Sequence, residues 1–157
     1  MAGETHPHVR RATAADAPAF GRLLQAFNEE YDEPTPPADA IAERAAPLIE
    51  SGEVTVLFVG DGPEGFAELR FRPSLYTGGL DAYLEELYVV PERRGHGLGR
   101  ALLEAAMDYA RARGADRIDL NTSEDDVAAR ALYESSGFTN REGSPDGPTM
   151  LYYERDL

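Results

Sequence analysis

The residues best placed to do chemistry are Arg94-Gly95-His96-Gly97-Leu98-Gly99, where an apolar strand pattern gives way to helical periodicity. At the start of a helix the first backbone N–H groups have no intrahelical acceptor, and the helix dipole adds partial positive charge. Together these make a site for an anion. Glycine at alternate positions lets the backbone approach phosphate oxygens without a Cβ in the way. Arg93, Arg94 and Arg100 add cationic side chains in a chain whose formal net charge is -14. Taken alone, the turn reads either as a diphosphate cradle or as a tight, solvated strand-to-helix connection.

Two phosphate-binding patterns can be weighed against it. A P-loop needs a lysine after its last glycine, and the chain contains none. A dinucleotide fingerprint needs G-x-G-x-x-G, whereas the glycines here run G-x-G-x-G. Asp119 falls about where that fold's ribose-binding acid would stand, but only one β-α-β unit is available to serve it.

A second pattern follows downstream, Asp126-x-x-Ala129-x-x-Leu132-Tyr133 and then Gly137-Phe138. With the turn it resembles the GNAT superfamily of acetyl-CoA-dependent N-acyltransferases. Arg94, Gly97 and Gly99 fill the defined positions of that family's Gln/Arg-x-x-Gly-x-Gly/Ala motif. The likeness runs from Tyr83 to Phe138 and, more loosely, through the order of elements along the whole chain. One departure is Asp126, which stands where the family often has Asn.

The resemblance implies acetyl-CoA as acyl donor and no metal. It implies a diphosphate held by Arg94, Gly95, His96, Gly97, Leu98, Gly99 and Arg100. Pantetheine would lie along Leu87, Tyr88 and Val89 and meet Asn121 on the neighbouring strand. Asp126 would accept from the pantetheine amide or else cap its helix. A backbone N–H near Val89 would stabilise the oxyanion. His96 also reads as a solvent-facing residue of the turn.

Acyl transfer to an amine requires a neutral amine and a thiolate that can leave, preferably protonated. Tyr133 occupies the position where the family commonly places a tyrosine near the coenzyme sulfur, which makes it the candidate general acid. From the residues alone it reads as a packing tyrosine on an amphipathic helix, beside Leu132. The segment Tyr83 to Val89 resembles the polyamine-acetylating branch, which implies Glu85 as a base acting through water. Adjacent strand residues point to opposite faces, so only one of Glu85 and Glu86 is expected to line a cleft. Glu86 then remains a candidate for binding the acceptor.

The acceptor itself is less constrained. Asn28 to Pro37 reads as an acidic, proline-stiffened loop carrying Glu29, Glu30, Tyr31, Asp32 and Glu33. It suits a polyamine, an aminoglycoside or another small cationic amine, and it also reads as a plain solvated loop. A peptide amine and a non-catalytic acyl-CoA sensor are the alternatives to small-molecule acetylation.

These residues need a scaffold. The 157 residues suit one domain with one core. No apolar run approaches the ~20 residues needed to cross a bilayer, and Met1 to Pro7 has no apolar leader. A cytoplasmic protein that contacts neither membrane nor nucleic acid is expected, given the absence of cysteine and the acidic balance. Strand patterns fall at Val9–Ala12, Val54–Val59, Gly65–Arg72, Tyr83–Val90 and Arg117–Asn121. Helical patterns end near Glu30 and Glu50, span about Gly97 to Arg113, and run from a Ser123 or Asp125 cap to about Ser136. Phe138–Glu142 and Met150–Glu154 are expected as a final antiparallel pair, with Met150, Leu151, Tyr152 and Tyr153 available for a homodimer contact. The fold class is a mixed α/β sheet with helices on both faces. The resemblance further implies a mostly antiparallel sheet containing one splayed parallel strand pair.

Overall fold

The structure is a computed structural model that describes residues 6–157. Residues 1–5, part of the Met1–Pro7 stretch, lie outside it. The chain forms two compact units, residues 1–120 and 121–157.

The first unit carries the sheet. Its strands are β1 Val9–Arg11, β2 Thr55–Val59, β3 Gly65–Pro73, β4 Leu80–Val89 and β5 Ala115–Asp119, and they lie side by side in that order. All neighbours are antiparallel except β4 and β5, which are parallel. The reason is connectivity: β2, β3 and β4 follow one another through short turns, whereas β4 reaches β5 through a helix.

Helices α1 (Ala17–Glu30) and α2 (Ala38–Ser51) cover one face. Phe20 meets Phe66 edge-on at 5.2 Å and Phe27 meets Tyr88 at 5.5 Å, and Ile41, Ile49, Val56 and Phe58 complete this core. Helix α3 (Leu98–Ala112) turns Leu98, Leu102, Leu103, Ala106 and Ala110 inward. Its Tyr109 ring lies 6.0 Å from Phe71 of β3. Phe66 and Phe71 differ in strand parity, so α3 packs on the opposite face from α1.

The parallel pair is short. β5 accompanies β4 only from Leu80 to Tyr83, and the last pair in that ladder is Tyr83 with Asp119. From Leu84 to Val89, β4 pairs on its β3 side alone. The parallel pairing thus stops at the end of β5 while β4 runs on toward the glycine turn, in keeping with the splayed pair that the resemblance implied.

The second unit holds helix α4 (Val127–Ser135). Its N-cap is Asp126, whose Oδ1 accepts the Ala129 N–H at 3.1 Å; of the caps read from the sequence, Asp126 is selected and Ser123 and Asp125 are not. Gly137 ends it with φ +93°. The expected strand pair after Phe138 is reduced to one bridge, Arg141 with Thr149. Two backbone bonds flank it, from the Glu142 N–H to the Pro148 carbonyl at 2.9 Å and from the Met150 N–H to the Asn140 carbonyl at 2.7 Å.

Candidate active site

The chemistry-bearing side chains of the first unit collect on β3 and β4. Glu68 of β3 and Glu86 of β4 are cross-strand partners, and the next pair is Leu69 with Leu84. Glu85 therefore has no partner of its own: it is the extra residue of a β-bulge. A bulge breaks the alternation of side chains, and the contacts show the result. Arg70 Nε lies 3.0 Å from Glu85 Oε1, and Arg70 Nη2 lies 3.8 Å from Glu68 Oε1. Glu68 and Arg70 share a strand face by parity, and Glu86 stands opposite Glu68. So Glu85, Glu86, Glu68 and Arg70 meet on one face, which corrects the expectation that only one of the two adjacent glutamates can serve it.

Glu68 and Arg70 were not among the sequence candidates. The signal was present, since Glu68 is a charge on the face of β3 that also carries the buried Phe66. Glu68 is 9% exposed. Burial pushes its carboxyl up to about 7, with the Glu85 charge adding to the rise and Arg70 opposing it. Glu86 is also pushed up to about 7, first by burial and then by the Glu68 and Glu85 charges. A carboxyl that titrates near neutrality is matched to proton transfer at ordinary pH.

The glycine turn follows β4 after a single 3-10 turn over Pro91–Arg93. Gly95 and Gly97 both hold φ +80°, and each has open space where a Cβ would stand. Gly97 is the N-cap of α3, and the first backbone bond of that helix is Ala101 N–H to the Gly97 carbonyl at 3.0 Å. The N–H groups of the first turn thus stand ahead of the hydrogen-bonded ladder. Nδ1 of His96 lies 3.0 Å from the Arg94 carbonyl, and its ring is exposed, in keeping with a turn residue.

Arg93 and Arg94 have acidic partners within the chain. Arg93 donates to Glu64 at 3.0 Å. Arg94 donates from Nη2 to both oxygens of Glu30 at 2.8 Å and from Nε to the Val89 carbonyl at 3.0 Å. Both cations are matched to carboxylates because the surrounding surface is so acidic. Glu30 is the last residue of α1, where the helical pattern ends, so Asn28, Glu29 and Glu30 belong to the helix and the loop read from Asn28 begins at Tyr31. Tyr88 completes the group: its hydroxyl donates to Glu30 at 3.5 Å, and the Arg94 guanidinium lies 5.7 Å from its ring centroid. Burial, together with the Glu30 charge, holds the Tyr88 hydroxyl above its ordinary range.

The remaining candidates are placed as follows. Glu29 accepts from Gln25 at 2.8 Å on the same helix, and Tyr31 packs its ring 5.1 Å from Phe27. Leu87 pairs with Ala67 and Val89 with Gly65, on the open half of β4. Leu98, Gly99 and Arg100 form the first turn of α3. In the second unit Asn121 is the first residue, Asp126 caps α4, and Tyr133 sets its ring edge-on to Phe138 at 5.9 Å.

The comparisons with known proteins agree with this geometry. Residues 20–138 match the model of the acetyltransferase (GNAT) family. An aminoglycoside N(6')-acetyltransferase type 1 of Stenotrophomonas maltophilia is 33% identical over 142 residues, covering 87% of this chain and 88% of that protein. A crystal structure from Arthrobacter sp. FB24, described as a candidate acetyltransferase, shares 44% identity with a TM-score of 0.88, covering 100% of this chain and 99% of that one. An aminoglycoside acetyltransferase from an uncultured soil metagenomic sample, solved with sisomicin, has the same fold at a TM-score of 0.77 and 17% identity, covering 98% and 99% of the two chains. With its splayed parallel pair, glycine turn and matched sequence, the chain belongs to the GNAT family and is an acetyltransferase.

Proposed function

We propose that the chain, acting as a single domain, transfers the acetyl group of acetyl-CoA directly to a primary amine of a small cationic acceptor. The observation that carries the acceptor class is the face formed by Glu68, Glu85 and Glu86, where one arginine, Arg70, opposes three carboxyls. An ammonium is the natural complement of such a face. The aminoglycoside-acetylating relative supports the same class.

The donor fits the glycine turn, because Gly95 and Gly97 have room for an approaching phosphate and hold the φ that glycine tolerates. Residues Arg94 to Arg100 would hold its diphosphate. Leu87, Tyr88 and Val89 would line its pantetheine arm, with Asn121 and Asp126 as further contacts. When bound, acetyl-CoA supplies an acyl group activated as a thioester. Glu85 would take the amine's proton through water, and Tyr133 would protonate the departing sulfur.

A panel of aminoglycosides, polyamines and peptides, assayed for release of free CoA thiol, tests the reading. Turnover confined to small polycations is the expected result. Turnover of peptide N-termini alone would replace the acceptor class, and binding of acetyl-CoA without any turnover would sink the proposal. Tyr133→Phe should lower kcat by roughly 10²-fold and leave acetyl-CoA affinity unchanged. An unchanged kcat removes Tyr133 from the mechanism.

A further inference from the structure

The mechanism above leaves one buried acid unused. Glu68 is 9% exposed, lies in the middle of β3, and faces Glu86 directly across an antiparallel ladder. Side chains in such register have Cβ atoms about 5 Å apart, within reach of a carboxyl–carboxyl contact. Two carboxylates at that separation resist ionising together, and the usual resolution is one shared proton. The bulge supplies the rest of the arrangement. It swings Glu85 onto the same face and leaves it more exposed than Glu68, with Arg70 reaching both. The result is ordered from outside inward: an accessible carboxylate in front and a buried pair behind it.

We propose that Glu68 is a positioning residue of the acid–base machinery, pairing with Glu86 to form a one-proton store behind Glu85. This rests on the acetyl-transfer reading above. The proton count is as follows. An acceptor ammonium gives one proton, through water and Glu85, to the fully ionised pair, which becomes singly protonated. The freed lone pair forms the C–N bond, and the C–S bond breaks with its electrons going to sulfur. The proton that nitrogen then sheds balances the one Tyr133 gives to sulfur. The pair returns its extra proton to solvent, so ammonium plus thioester becomes amide, thiol and one released proton.

The charged groups facing the pair on the sheet are Glu85 and Arg70. From α1 comes Glu30, already bound to Arg94 beside Tyr88.

The test is the pH profile of kcat/KM for the best amine of the panel, measured on wild type, Glu68→Gln, Glu68→Asp and Glu86→Gln. Wild type should show an ascending limb near neutrality. Glu68→Gln removes the like charge and should move that limb down by about one pH unit. Glu68→Asp keeps the charge and should restore the limb, and KM for acetyl-CoA should stay constant throughout. Carboxyl C=O bands followed by infrared titration give a readout that needs no substrate, and the signal titrating near neutrality should lose amplitude and shift to lower pH in Glu86→Gln. A limb that stays in place in Glu68→Gln, or the same infrared titration in wild type and Glu86→Gln, overturns the pair while leaving acetyl transfer intact. Absence of turnover with every amine, in a protein that binds acetyl-CoA and shows the titrating band, overturns the acetyl-transfer reading and the catalytic part of the pair with it.

Discussion

Glu30, the last residue of α1, holds Arg94 of the glycine turn through two 2.8 Å contacts, joining residues 64 positions apart. The guanidinium that the family motif places beside a diphosphate is thus already neutralised by a carboxylate. An incoming polyanion meets the Glu30 charge as well as the Arg94 charge. Removing the first should favour binding, by an amount set by a partly solvated charge at a few ångströms. Glu30→Gln is expected to tighten CoA binding by roughly 3- to 10-fold at low salt, with the gain shrinking as ionic strength rises. Thermal stability should fall slightly, by about 0.5–1 kcal/mol, because the pair is partly exposed. Calorimetry with CoA at two salt concentrations checks this. Weaker binding at low salt would mean that Glu30 serves to aim Arg94.

Glu68 and Glu86 make a prediction about stability that is separate from catalysis. Both carboxyls are pushed up to about 7 in the folded chain, mainly by burial. The fold therefore keeps protons that the unfolded chain gives up around its ordinary carboxylate range. Their contribution is fully present below about pH 4.5 and is lost as pH rises through about 7. For one such carboxyl the loss is on the order of 2–3 kcal/mol. Glu68→Gln carries no ionisable group, so its stability should fall less between about pH 5 and pH 8 than that of wild type. Urea unfolding at both pH values measures the difference. Parallel pH dependence in the two proteins would contradict the burial argument.

How much of this was legible in the residues depends on the distance over which each feature is decided. The glycine turn, α3 and the parallel β4–β5 pair are local or near-local, so periodicity and motif spacing find them. The bulge at Glu85 is different. The adjacent Glu85 and Glu86 already break strict alternation in Tyr83 to Val89, but only the register against β3 shows which residue is extra. That register is why parity reasoning separated two glutamates that share a face. The Arg94–Glu30 contact could not be read because it links segments whose approach depends on α1 packing over β4. At α4, Ser123, Asp125 and Asp126 all qualify as caps by type, and the backbone selects Asp126. Glu68 was readable and was missed, since a charge at an inward strand position is itself a signal.

The start of α1 offers a test of acid sensitivity. Asp16 accepts from both terminal nitrogens of Arg10 at 2.9 Å and from the Thr13 N–H at 2.8 Å. The Arg10 hydrogen bonds are the main reason that its carboxyl is held down at about 2. A depressed carboxyl contributes stability above its ordinary value near 3.8, and that contribution is lost as pH falls through about 2. Asp16→Asn should cost about 1–2 kcal/mol at neutral pH, discounted for the partial exposure of Arg10, and almost nothing near pH 2. Thermal unfolding across that range gives the comparison. A constant penalty at all pH values would assign the effect to the cap geometry alone.

Gly65 and Gly97 flank the open half of β4, and alanine should damage them by opposite mechanisms. At Gly97 a Cβ meets nothing within 4 Å, but φ is +80°, so the penalty is backbone strain of about 1–2 kcal/mol. At Gly65 a Cβ would stand 2.5 Å from the Tyr88 carbonyl oxygen and 3.2 Å from the Val89 Cα. The penalty there is steric, and relief requires β3 and β4 to part beside the glycine turn, at about 1–3 kcal/mol. Asparagine separates the two cases, because it accepts a left-handed φ yet is larger than alanine. Gly97→Asn should recover part of the stability lost in Gly97→Ala, whereas Gly65→Asn should be worse than Gly65→Ala. Urea midpoints for the four variants decide the matter. The same rank order at both positions would show that a single mechanism, strain or crowding, governs both.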